Sequence, residues 1–246
     1  SEYYQAHALH DLRIDLEVIP RARIRSLVGI DGVVGARGRV SLNATVELGA
    51  ADTVSGVALS LPAPRRRVLS DIALNRGTWF SSATAAEVIV IESFARAHGM
   101  RIGDRLNVRI NAARHRLRIV GFASAPEFVY LLPVDGGLAP DPARSAVLYL
   151  ADRFAQSQAQ LSGGFNQVLF STVAKDRPGQ DKTLKLLANK LDRYGVRLAE
   201  RADEQPSIRF LSDELDGLKS QSTAMPLIFF IAAALTLNIM MARKVR

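Results

Sequence analysis

Residues Met225 to Ala242 read MPLIFFIAAALTLNIMMA, eighteen positions without a charge, and Arg243, Lys244 and Arg246 follow at once. As a helix rising ~1.5 Å per residue, this run is about 27 Å long, against a hydrocarbon core of ~30 Å. It reads as a transmembrane helix, with a buried core helix or an interfacial segment as the alternatives. The basic cluster belongs on the cytoplasmic side by the positive-inside rule. A spanning segment then puts residues 1–224 outside the cytoplasm, which removes most cytosolic enzymes and nucleic-acid binders from consideration.

The remaining ~220 residues suffice for one large domain or two small ones with real cores. The chain opens on Ser1 without Met and without a signal-like region, and so reads as a piece of a longer protein or a processed product. It has no Cys, hence no disulfide framework. The net charge of +8 comes from scattered Lys and Arg. The tightest cluster, Arg65-Arg66-Arg67, follows Pro62 and Pro64 and reads as a loop. No aromatics interleave with the basic residues as in a stacking platform, so nucleic acid is not an expected partner.

Two strand–helix–strand units stand far apart in the chain. In the first, Leu12, Ile14, Leu16 and Val18 alternate with polar residues, the period of a half-buried strand. Pro20 suits a helix start, and Ile24, Leu27 and Val28 follow at helical spacing. Gly29 and Gly32 end that helix, and Val33 to Leu48 resumes strand character. In the second, Asn166 to Val173 reads as a strand and Leu184, Leu187, Ala188 and Leu191 as one helical face. Gly195 stops the helix, and Val196 to Glu200 returns as a strand. Residues 51–163 between the units read as mostly β. Glu87 to Ile91 is an apolar run, Phe94 to His98 a short helix stopped by Gly99, and Leu106, Val108 and Ile110 alternate with polar residues into a hairpin.

The expected architecture is therefore α+β. A split βαβ subdomain (1–50 and 164–203) carries an inserted mostly-β subdomain (51–163), followed by a stalk helix (204–224) and the transmembrane helix (225–242). In the stalk, Ile208, Leu211, Leu215 and Leu218 are spaced three and four apart, a narrow seam that wants a partner helix. Pro226 is expected to kink the junction with the membrane helix.

Catalytic chemistry is sparse. His7-x-x-His10 followed by Asp11 lacks a nearby third ligand and reads as a solvated linker, so no metal is expected. There is no G-x-S-x-G. The glycines from Gly32 to Gly38 follow a helix and precede β pattern, the reverse of a dinucleotide loop. Asp213-Glu214 are neighbours in sequence that do not converge on a helix. The chain is not expected to be an enzyme or to hold a cofactor. The segment Ser124 to Tyr130 places Glu127 beside Phe128 and Tyr130 directly after a strand. These three residues form a candidate contact loop; the alternative is a packed loop whose aromatics cover a sheet edge.

Several of these pieces occur in a familiar order. Glu87-Val88-Ile89-Val90 with Phe94-Ala95, then Gly103-Asp104-Arg105-Leu106, then Val120-Gly121, resembles the extracytoplasmic core of FtsX-like and MacB-like ABC transporter permeases. Pro126-Glu127-Phe128-Val129-Tyr130, Gly164-Phe165-Asn166 and the run from Gln205 to Leu215 leading into Pro226-Leu227-Ile228-Phe229 resemble a large-permease branch. Ala125 departs from the Ser-Pro-Glu expected there. The resemblance implies a porter-like split subdomain, a cytoplasmic ABC ATPase that binds the ATP, a second permease half or homodimer mate, and an extracytoplasmic partner protein or lipid-like cargo. It implies a bacterial cell-membrane location, with a role in export, in lipid or lipoprotein handling, or in mechanical signalling driven by ATP hydrolysis. The competing expectation is a membrane-anchored binding or scaffold module that works without an ATPase.

Overall fold

The computed structural model describes residues 9–49, 52–128 and 141–204. All lie within the first of the chain's two units, Ser1–Ile208. Two sheets organise these residues. The first has four strands, β1 (Leu12–Pro20), β2 (Val33–Arg39), β10 (Gly164–Thr172) and β11 (Val196–Arg201), in the antiparallel order β11-β1-β10-β2. Helix α1 (Arg21–Leu27) connects β1 to β2, and α4 (Arg177–Leu191) connects β10 to β11.

The alternation expected of β1 is present. Leu12, Ile14, Leu16 and Ile19 are buried on one face, and Leu12 and Ile14 pair with Phe170 and Val168 of β10. The helices cover this face with Ile24 and Leu27 from α1 and Leu187 and Leu191 from α4. Val28, expected on the same stripe as Ile24, is instead 41% exposed, because α1 ends at Leu27. Asp176 caps α4 by accepting a hydrogen bond from Gly179 N at 3.1 Å, and Pro178 occupies the first turn, where its missing N–H is harmless.

The second sheet comprises β3 (Ser41–Glu47), β4 (Thr53–Leu61), β5 (Ala73–Gly77), β6 (Glu87–Ile91), β7 (Arg105–Ile110), β8 (Ala113–Ser124) and β9 (Ala146–Ala151), in the order β5-β8-β6-β9-β4-β3-β7. Because β7 also pairs with β8, six of the strands close into a ring, with β5 added on the far half of β8. Closure leaves few free edges. β6 and β9 are buried at every position, as expected of strands covered on both faces, and α2 (Glu92–Ala97) and α3 (Asp152–Gln158) pack outside them with Phe94, Ala95 and Ala155. The expected hairpin is β7–β8, with Leu106, Val108 and Ile110 inward and their neighbours exposed.

The strand expected from Val33 to Leu48 is two strands in two sheets. The chain crosses from one sheet to the other at Val40, ten residues before the division expected near residue 50. No glycine or proline marks the crossing. Long-range bonds hold it: Val40 N donates to Ser60 Oγ (2.8 Å), and Ser41 N donates to Asn166 Oδ1 (2.8 Å). Among the described residues no helix is long and apolar enough to cross a membrane. The segment Met225 to Ala242, the stalk, and the seam of Ile208, Leu211, Leu215 and Leu218 lie outside the described residues.

Candidate functional site

The second face of the four-stranded sheet carries charges of both signs. Arg13 and Asp15 point there from β1, Arg37 and Arg39 from β2, Gln167 from β10 and Glu200 from β11, by the same alternation that sends Leu12 and Ile14 to the helices. A half-buried strand would present such residues to water. Here Arg37, Arg39 and Gln167 are all buried.

Glu127 lies at the centre of what covers them. Pro126–Phe128 form one 3₁₀ turn after β8, which drives Glu127 inward until it is 3% exposed. Arg39 Nη1 and Nη2 donate to its two carboxylate oxygens at 2.7 and 2.5 Å, the bidentate fork that suits guanidinium and carboxylate. Arg39 Nε donates to Gln167 Oε1, and Gln167 Nε2 passes the chain on to Asp15 Oδ1 at 2.6 Å. Arg13 bridges Asp15 (3.4 Å) and Glu200 (3.2 Å). Burial alone would raise the Glu127 carboxyl; the facing Arg39 outweighs it by charge and hydrogen bonding and holds it at about 2. Burial raises the Glu200 carboxyl, against the opposing pull of Arg13.

Glu127 is therefore corrected from a contact residue to an internal ion pair. Phe128 is half-buried and packs against the core. Tyr130 lies outside the described residues. His10, expected in a solvated linker, is 1% exposed. Its backbone N–H donates to Ser70 Oγ at 3.1 Å, and its ring Nδ1 lies 2.7 Å from the same hydroxyl. Burial lowers its imidazole to about 4, with Glu127 pulling the other way. The displaced linker reading has a plain cause: Asp11 N already pairs with Phe170 O (2.8 Å), so the sheet begins at His10's neighbour and draws the ring in.

Ser70, Glu127 and Ser60 belong to segments of the seven-stranded part, while His10, Arg37 and Arg39 belong to the four-stranded part. The network is thus a polar bolt between the two sheets. Its signal in the sequence was the mixed-sign charge on alternate positions of two strands, which reads identically whether water or protein lies opposite.

The points where the chain enters and leaves this structure are neighbours. Leu12 of β1 pairs with Arg201 of β11, and Ala202 N donates to Asp11 O at 2.8 Å.

No family model and no curated protein matches the chain. Among solved structures it is similar to the extracellular domain of the noncanonic ABC-type transporter YknZ from Gram-positive bacteria, at 10% identity and a TM-score of 0.46, over 78% of this chain and 98% of that one. It is similar to the periplasmic region of MacB from Actinobacillus actinomycetemcomitans, also at 10% identity and a TM-score of 0.46, over 82% of this chain and 93% of that one.

Proposed function

We propose that the chain is the extracytoplasmic domain of an ABC transporter permease, inserted between two membrane helices and displaced as a body when a cytoplasmic ATPase partner hydrolyses ATP. The observation that carries this reading is the hydrogen-bonded pairing of entry and exit at Asp11 and Ala202. A domain strung between two neighbouring membrane helices needs its two ends within one helix–helix spacing, about 8–10 Å. A pair of adjacent strands supplies that spacing directly.

On this reading β1-α1-β2 and β10-α4-β11 are the halves of a porter-like subdomain, and the seven-stranded part is its insertion. The ionic network joins them so that a push at β1 and β11 moves both. The seam of Ile208, Leu211, Leu215 and Leu218 is the stalk through which the push arrives, and Met225 to Ala242 is the second of the two membrane helices. A second permease half or homodimer mate would complete the pathway. The chain itself carries binding and mechanical work, and the ATP is held by the partner.

The chain's lack of Cys makes the test direct. Ser162 is exposed, so Ser162→Cys in the full chain should react with an impermeant thiol reagent in intact bacteria. Labelling that requires lysis would refute the location. In the same cells Leu215→Pro should leave the labelling intact and abolish transport, since a proline inside a helix costs ~3 kcal/mol or more. Wild-type transport with the helix broken would remove the coupling role.

A further inference from the structure

A cleft of about 520 Å³ opens between α1, β2 and the Arg66–Leu69 segment, away from the ionic network's centre. Its volume lies in the ~300–1,000 Å³ range of small-molecule sites. Two chemistries meet in it. Ile24, Val68 and Phe165 supply apolar surface. Arg25, Arg66 and Arg67 supply guanidinium groups, and among the described residues none of the three has a carboxylate within ion-pair distance. Arg21, on the same rim, stacks over the Phe165 ring at 5.4 Å and is already paired with Asp152 at 3.0 Å.

The floor adds a second, independent observation. Arg37 is 8% exposed and lines the cleft, yet its hydrogen bonds go to backbone carbonyls: Leu69 O (2.5 Å), Ser70 O (3.1 Å) and Ser60 O (2.9 Å). Its neighbour Arg39 has a carboxylate fork, and Arg37 has none. A buried cation with no carboxylate in contact is costly, and burial, with Arg39 beside it, pulls the Arg37 guanidinium down to about 9 against the attraction of Glu127 and Asp71. The backbone is fitted to the space as well. Gly38 lies under Phe165, where an added Cβ would come 2.2 Å from the ring, so the ring packs directly against the strand as one wall of the cleft.

We infer that this cleft binds a phosphate-bearing amphiphile, with the phosphate held by Arg25, Arg66 and Arg67 over the Arg37 floor and a short apolar body laid along Ile24, Val68 and Phe165. Guanidinium forks match phosphate oxygens in pairs. The apolar wall distinguishes such a ligand from inorganic phosphate. This site stands apart from the permease reading and survives or fails separately from it.

The test is titration calorimetry on the full chain in neutral maltoside detergent at low ionic strength. Three probes are used: hexyl phosphate, inorganic phosphate and hexanol. Hexyl phosphate should bind one site at least tenfold more tightly than inorganic phosphate, and hexanol should not bind saturably. Arg66→Gln/Arg67→Gln, two exposed loop changes, should weaken hexyl phosphate at least tenfold. Arg101→Gln/Arg116→Gln, equal in charge lost and outside the cleft, should leave it unchanged. Equal affinity for the two phosphates, equal loss in both double variants, or no saturable binding of hexyl phosphate would each overturn the site.

Discussion

The two sheets bury their strands by opposite means. The closed ring of the seven-stranded sheet is filled from Leu106, Val108, Ile110, Val46 and Leu148, all fully or almost fully buried and all apolar. The four-stranded sheet is apolar only toward its helices, and its other face meets the rest of the protein through Arg39, Glu127, Gln167 and His10. An apolar interior tolerates many side chains of the right volume. A buried ion pair tolerates one register, because a shift leaves a charge without its partner. The ring is therefore held by amount of contact and the junction by geometry.

The sharpest way to break the comparison is to remove one partner. Glu127→Gln leaves Arg39 buried without a counter-charge and should cost about 3–5 kcal/mol, measured by urea unfolding of the full chain with Trp79, the single Trp, as reporter. Arg39→Met/Glu127→Leu removes both charges and should recover most of that loss. A Glu127→Gln variant as stable as wild type would show that the junction is not held by charge geometry. A double variant no better than the single one would show that the network contributes beyond its central pair.

The sequence showed both strand–helix–strand units and the β7–β8 hairpin, because each is set by local periodicity. It did not show the crossing at Val40. There the turn is made by Ser60 and Asn166, residues 20 and 125 positions away from Val40 and Ser41, and nothing local announces them. The central strand Ala146–Ala151 also passed unread, since a six-residue apolar run has no period to detect. Glu127 stood out through the family motif and through its aromatic neighbours. Its role was invisible because its partner Arg39 is 88 residues away. Arg66 and Arg67 were legible as a basic loop; the apolar wall opposite them was not, because α1 and Phe165 reach it only in the fold.

A second, smaller break concerns acid. His10 is held neutral in the folded chain, its ordinary value of 6.5 lowered to about 4, chiefly by burial and in part by Arg39 and Arg13, against Glu127 and Asp11. The unfolded chain takes up that proton first. The contribution is therefore complete above about pH 6.5 and falls away as the pH drops to about 4, by about 3 kcal/mol in all. Glu127 then extends the decline, since its carboxyl is also depressed and its share is lost between about 4.5 and 2. Stability measured in urea from pH 7.5 to 4 should slope downward in wild type and be nearly flat over 6.5–4.5 in His10→Gln, which keeps a polar group toward Ser70. Parallel curves for the two proteins would assign the acid sensitivity elsewhere.

The smallest effect sits in the ring and has the opposite sign. The two-residue turn between β7 and β8 is Asn111-Ala112, with φ of 48° and 64°. Two left-handed central residues are what a tight hairpin of this twist requires, and Asn-Gly is the preferred pair. Asn111 tolerates the conformation, and its Nδ2 also donates to Gln158 O at 2.8 Å. Ala112 has a Cβ and no such bond, so it bears a conformational cost of ~1–2 kcal/mol that glycine would not. Glycine gives back part of that gain by enlarging the freedom of the unfolded chain, by roughly 0.5–1 kcal/mol. Ala112→Gly should therefore stabilise the protein by about 0.5–1 kcal/mol. The turn is exposed and touches none of the junction's charges, so the gain should be the same at pH 7.5 and at pH 4.5. A gain that varied with pH would mean that ring and junction unfold as one coupled structure whose energies cannot be divided between them. A loss would mean that the turn is held left-handed by the ring at no cost to Ala112, and that the ring, like the junction, is governed by fixed geometry.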